Sequence, residues 1–189
     1  GMPLQPEPIL EFIEGDAFDT TGVGPWHDKL HCWMKDAMPT GPQGTSELQF
    51  EHFVPLRHAT EALERTRMVA EHWGSSLLYS EIRAVRADDQ ALSPYTCDAK
   101  DGYDCIGISH GLHAGLGEAR VLEAAGVIEE ALMDLQARPH WGKLSQFGRA
   151  DVEKVYGESG RLSIFQSHVE TVDPERKFTT PWLEKLFLL

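Results

Sequence analysis

Glu81 and Arg83 stand two residues apart in Leu77 to Val85, a stretch whose alternation suits a β-strand. Residues i and i+2 of a strand project from one face, roughly 7 Å apart along the backbone. A fixed carboxylate beside a fixed guanidinium can hold a polyol, the first accepting from hydroxyls and the second donating to oxygens. The same pair would also suit a solvated face with cross-strand ion pairs, and spacing alone leaves both readings open. Gln49 and Glu51 share the polar face of another alternating run, Glu47 to Val54, so two strands could line one pocket.

A further group lies in Ala137-Arg138-Pro139-His140-Trp141-Gly142-Lys143, which sets cations, an imidazole and an indole around a Pro and a Gly. Pro139 fixes its own φ and disfavours helix at Arg138, so the chain should leave the preceding helix extended and turn stiffly. Such a turn can aim polar side chains into a pocket, or be a surface turn around a half-buried Trp. Lys143 could polarise an oxygen or stabilise an alkoxide there, or be an ordinary exposed lysine. His140 could donate to a cofactor, orient a neighbour or be purely structural. His110 and His113 lie at a strand end beside Gly111 with no partner to complete a ligand set, so no metal is expected. Gly115 and Gly117 make no dinucleotide fingerprint, and no Gly-x-Ser-x-Gly elbow is expected.

The elements that must position these residues read as follows. Residues 1–46, rich in Pro, Gly and Thr, form a loop-rich lead-in, with His27 to Met34 a short strand or helical turn. Gly1 ahead of Met2 reads as a scar of tag removal. Glu47 to Val54 is a strand with Leu48, Phe50, His52 and Val54 on one face and Glu47, Gln49, Glu51 and Phe53 on the other. Pro55 opens a helix with apolar spacing from Ala59 through Trp73, ended by Gly74. Leu77 to Val85 is a second strand, residues 88–100 a loop, and Cys105 to about His110-Gly111 a third strand. Glu118 to Gln136 is a helix with Val121, Leu122, Ala125, Ile128, Ala131, Leu132 and Leu135 as its buried stripe. Asp151 to Tyr156 and Leu162 to Val172 follow as shorter helices, and Asp173-Pro174 breaks the chain before Trp182, Leu186 and Phe187. This order predicts an α+β domain: an antiparallel sheet with helices packed on one face and polar side chains left on the other.

The 189 residues suffice for one domain with a substantial core. A net charge of −13 repels phosphate backbones and anionic lipid, so neither a nucleic-acid nor a membrane partner is expected. No apolar run is long enough to span a bilayer. Cys32, Cys97 and Cys105, an odd number without metal-ligand spacing, fit a reducing cytoplasm.

Several of these pieces recur together. Glu47-Leu48-Gln49-Phe50-Glu51-His52-Phe53-Val54-Pro55, Glu81-Ile82-Arg83, Asp88-Asp89 with Leu92-Ser93-Pro94, Arg138 to Lys143, and Asp173 to Phe178 occur in that order. The series resembles the C-terminal part of FAD-linked alditol (xylitol) oxidases and D-arabinono-1,4-lactone oxidases. The resemblance implies an N-terminal FAD-binding domain and a C-terminal substrate domain capping the flavin, here residues 47–189. It further implies that a sugar alcohol or sugar-1,4-lactone gives a hydride to the flavin, which oxygen reoxidises with release of hydrogen peroxide. By the same resemblance Glu81 and Arg83 grip the substrate and Lys143 contacts the reacting hydroxyl. Gln49 matches a substrate-binding position and His140 a position near the FAD.

There are two departures. Where alditol oxidases carry a His-Phe-Thr-Trp-like segment, this chain reads Ser109-His110-Gly111-Leu112, after a longer loop through Asp98 to Tyr103. His110 could substitute there only from a shifted position. The FAD-binding domain is also absent from these residues, so activity is expected only with an FAD-binding domain or subunit. The alternative is a stand-alone, non-catalytic domain derived from such an oxidase, one that binds a small ligand or self-associates as a homodimer.

Overall fold

A computed structural model describes residues 47–70, 73, 76–95 and 104–187. All belong to the second of two units, Ser46–Leu189. The lead-in, Cys32, Cys97 and the Asp98 to Tyr103 loop therefore lie outside the described residues. Strands β1 (Glu47–Pro55), β2 (Leu77–Val85), β3 (Cys105–His113) and β4 (Arg138–Pro139) form one antiparallel sheet in the order β2-β3-β1-β4.

Strand alternation decides which face is greasy. Phe50, Val54, Ile106, Ile108 and Leu112 all point to one side, where they form a buried cluster. Helices α1 (Ala59–Ala70) and α2 (Glu118–Leu132) cover that side, α2 through Val121, Ala124, Ala125, Ile128 and Leu132 at helical spacing. Fully burying a Val, Ile, Leu or Phe side chain of this cluster stabilises the fold by about 1.5–3 kcal/mol. This is the expected α+β arrangement, with helices on one face.

A smaller core lies beyond β4. Helix α3 (Arg149–Val152), a π-helical turn (Glu153–Gly157), α4 (Arg161–Val172) and α5 (Pro181–Phe187) bring together Phe147, Val152, Tyr156, Leu162, Leu186 and Phe187. Trp141 packs against this cluster, edge-on to Phe187 at 5.4 Å, and its indole N–H donates to the Leu92 carbonyl at 2.7 Å.

Several boundaries differ from expectation. Pro55 closes β1 rather than opening a helix, because Leu56 N–H bonds to the Asp104 carbonyl at 2.8 Å and keeps the chain on the sheet. A 3₁₀ turn at Leu56–His58 then leads into α1. Strand β3 runs on to His113, paired as far as Glu47. Helix α2 stops at Leu132 and tightens into a 3₁₀ turn, after which Gln136 takes the left-handed conformation at φ 62°. Arg138-Pro139 pairs with His52-Phe53 as a short strand; an edge position tolerates a proline. Among the described residues no helix is long and apolar enough to cross a membrane, and no group of three His, Cys, Asp or Glu side chains could hold a metal.

Candidate active site

The face turned away from α1 and α2 is built in rows. Glu51 of β1 pairs with Ser109 of β3, which pairs with Glu81 of β2; the next row is Phe53, Gly107 and Arg83, and the row on the other side is Gln49, Gly111 and Tyr79. In these three rows the central strand therefore offers only Gly107, Ser109 and Gly111 to this face. A Cβ at Gly107 would fall 2.7 Å from the Phe53 ring and 3.0 Å from Glu51 Oε1, and one at Gly111 would fall 2.5 Å from the Tyr79 ring. Missing side chains on β3 let side chains from both neighbours lie across it.

Lys143 reaches this face because its turn is tied to β1. His140 N–H donates to the Glu51 carbonyl at 2.9 Å and Leu144 N–H to the Gln49 carbonyl at 3.0 Å. Buried Glu129 of α2 holds the following residues, accepting from Ser145 Oγ at 2.7 Å and from Gln146 N–H at 3.0 Å. The same carboxylate takes His52 Nε2 at 3.1 Å, which fastens the turn to β1 from the opposite side of the sheet. Arg138 and Trp141 serve the small core instead: Arg138 is buried over the Tyr156 ring. His140 and Lys143 of the turn line the site's cavity.

The hub is Glu51, only 2 % exposed. Its Oε2 accepts from Lys143 Nζ at 2.6 Å, and Arg83 Nη1 lies 3.0 Å from Oε1 and 3.3 Å from Oε2. Lys143 Nζ also donates to Ser109 Oγ at 3.1 Å, and Arg83 Nη2 contacts Glu81. An ammonium has three N–H donors, so two are committed and one remains for a ligand. Gln49 Nε2 donates to the Tyr79 hydroxyl at 2.7 Å and contacts Glu47. Burial, with Glu47 adding to it, pushes the Tyr79 hydroxyl above its ordinary range, so it stays protonated at neutral pH. Beside these groups is an open cavity of about 600 Å³ lined by Glu47, Gln49, His140 and Lys143, among others.

The structure thus brings Glu81, Arg83 and Lys143 together through Glu51, and sets Gln49 and His140 beside Lys143 at the cavity. Glu81 and Arg83 do not line the cavity itself. The His140 ring accepts from Gly142 N–H at 3.0 Å through Nδ1, a bond that stiffens the turn. His110 cannot substitute in the site: it points into the core, between Phe50 and Trp73 and bonded to Ser80 Oγ at 2.7 Å. Burial, with His52 nearby, lowers its pKa to about 4. Gly107-Ile108-Ser109-His110-Gly111 does spell Gly-x-Ser-x-Gly, contrary to expectation. It runs as straight paired strand rather than a strand-to-helix turn, so it makes no nucleophile elbow.

Sequence reasoning placed Glu51 on the right face but missed that it joins the two cations. The signal was its buried setting between Phe50 and His52 on a central strand, where a lone carboxylate needs a cationic partner. Ser109 and the two glycines had only their alternation to mark them.

The domain is thus an α+β fold that presents paired carboxylates and cations on one sheet face, with a polar cavity beside them. Residues 44–186 match the family model described as D-arabinono-1,4-lactone oxidase, and the chain belongs to that family of oxidoreductases. It is 32% identical over 163 residues to an alditol oxidase of a Streptomyces species, covering 86% of this chain and 36% of that protein. It is 27% identical over 193 residues to the L-gulonolactone oxidase of Scyliorhinus torazame, covering 95% of this chain and 42% of that protein. The chain thus spans well under half the length of these relatives.

Proposed function

We propose that the chain supplies the substrate-binding part of an FAD-dependent oxidase acting on sugar alcohols or sugar-1,4-lactones, with the main flavin-binding domain or subunit lying outside residues 47–189. The observation that carries this reading is the convergence of Lys143 and Arg83 on Glu51, with Glu81 alongside. The donors present, the Lys143 ammonium and the Arg83 guanidinium, suit hydroxyls and a ring carbonyl, so they fit the substrate side of a flavin site. When bound, the flavin would take the hydride, and oxygen would then regenerate it with release of hydrogen peroxide.

The chain's own residues bind and orient. Glu81 accepts from a substrate hydroxyl while Arg83 donates to a neighbouring oxygen. Gln49, whose amide N–H groups are spent on Tyr79 and Glu47, has its carbonyl oxygen left to accept a further hydroxyl. Lys143 offers its remaining N–H to the oxygen on the reacting carbon and stabilises negative charge that develops there. His140, with Nδ1 engaged by Gly142, has Nε2 left to meet the cofactor.

The test pairs this chain with an FAD-binding domain of the same family and measures peroxide from xylitol, sorbitol and aldono-1,4-lactones. Substrate-dependent peroxide that requires both parts is the expected result. Failure with every such partner and substrate would remove the proposal.

A further inference from the structure

Four charged groups meet on the site face: Glu51 and Glu81 against Arg83 and Lys143. Their formal charges cancel. Glu51 is the only one of the four that is almost wholly buried, and both of its oxygens are occupied by the two cations. It has no accessible surface with which to take a ligand. Arg83 and Lys143 come from different elements, a strand and a turn, and each lies within hydrogen-bond reach of one carboxylate. Without that carboxylate two like charges would share the patch and repel.

The geometry assigns Glu51 as a positioning residue: it holds Arg83 and Lys143 and cancels their excess charge, so that the site accepts a neutral polyhydroxylated ligand and rejects an anionic one. The ligand class rests on the function proposed above; the positioning role does not. Glu47, which lines the cavity with Lys143, adds a negative charge there and so reinforces the exclusion of sugar acids and sugar phosphates. Replacing Glu51 by Gln keeps shape and one acceptor oxygen but leaves a surplus positive charge on Arg83 and Lys143. The variant should therefore exchange one ligand class for the other, which a merely structural residue would not do.

The experiment uses the full chain, labelled with ¹⁵N-lysine, and titrates xylitol and gluconate into wild type, Glu51→Gln and Lys143→Met. In the wild type the Lys143 ammonium gives an observable proton-coupled signal, because two of its N–H groups are held; in Glu51→Gln that signal broadens away. Xylitol binds the wild type and gluconate does not. Glu51→Gln loses affinity for xylitol at least about tenfold and gains affinity for gluconate by a similar factor. Lys143→Met, which retains Glu51, loses xylitol and gains no gluconate; this arm keeps the charge argument testable even if Glu51→Gln does not fold.

A Lys143 signal unchanged in Glu51→Gln overturns the positioning role. Equal losses for both ligands in that variant, or a gain of gluconate in Lys143→Met, overturn the charge argument. Binding of neither ligand by the wild type removes the ligand class and with it the function proposed above, while the Lys143 signal still decides the positioning role.

Discussion

A methyl group added at Gly107 or at Gly111 measures how tightly neighbouring side chains lie on β3, and the two positions should answer differently. At Gly107 the new Cβ falls 2.7 Å from Phe53 Cε1, 3.1 Å from Cδ1 and 3.0 Å from Glu51 Oε1. Phe53 is 2 % exposed, and Tyr95 meets it edge-on at 4.6 Å, so the ring has nowhere to withdraw. Overpacking of this kind costs about 1–3 kcal/mol, offset in part by the ~0.4–1 kcal/mol gained when a Gly→Ala change stiffens the unfolded chain. At Gly111 the clash is closer, 2.5 Å to Tyr79 Cε1 and 2.6 Å to Cζ, yet the obstacle is the far end of a half-buried side chain on an edge strand. Tyr79 can swing outward at the loss of its hydrogen bond from Gln49, about 0.5–1.5 kcal/mol. Gly107→Ala should therefore lower the urea midpoint clearly at unchanged m-value, while Gly111→Ala stays near wild type and alters the near-ultraviolet tyrosine signal. A larger loss at Gly111, or none at Gly107, would refute this account of the sheet face.

Three further outcomes follow from the packing. Glu129→Ala removes a buried carboxylate that holds His52, Ser145 and Gln146, and should cost about 3–5 kcal/mol in urea denaturation. His110, with its pKa lowered from 6.5 to about 4 by burial, contributes stability that is full above pH 6.5 and is lost as pH falls toward 4, because only the unfolded chain takes up the proton in that window. Replacing His110 by Phe should flatten stability against pH between those values; an unchanged slope would contradict the assignment. Asp173 accepts from Lys177 N–H at 2.8 Å and Phe178 N–H at 2.9 Å, so Asp173→Ala should cost about 1.5–3 kcal/mol and loosen the approach to α5, seen as faster amide exchange there.

The sheet was legible because its strands alternate cleanly: alternation set Gln49 with Glu51 on one strand face and Glu81 with Arg83 on another, and the register through β3 is what joins the two faces. Periodicity also marked α1 and α2. Element ends were less legible, since they depend on single tertiary bonds: Leu56 N–H to Asp104 holds Pro55 in the sheet, and pairing to β1 makes Arg138-Pro139 a strand. The site was half legible. Glu81 and Arg83 are linked by local spacing, but Lys143 meets Glu51 across 92 positions of sequence, a contact that only β1 pairing and the Glu129 anchor create. Strand register likewise sends His110 to the core and Ser109 to the site, a distinction that a residue count without a fixed strand could not make.

The most direct measurement is steady-state peroxide formation by Lys143→Ala once the chain is joined to a flavin-binding partner. If Lys143 stabilises charge as the substrate hydroxyl is oxidised, kcat should fall about 10²–10³-fold while KM moves far less. An unchanged kcat, with the whole effect in KM, would contradict the claim that these converging charges act on the reacting carbon's oxygen.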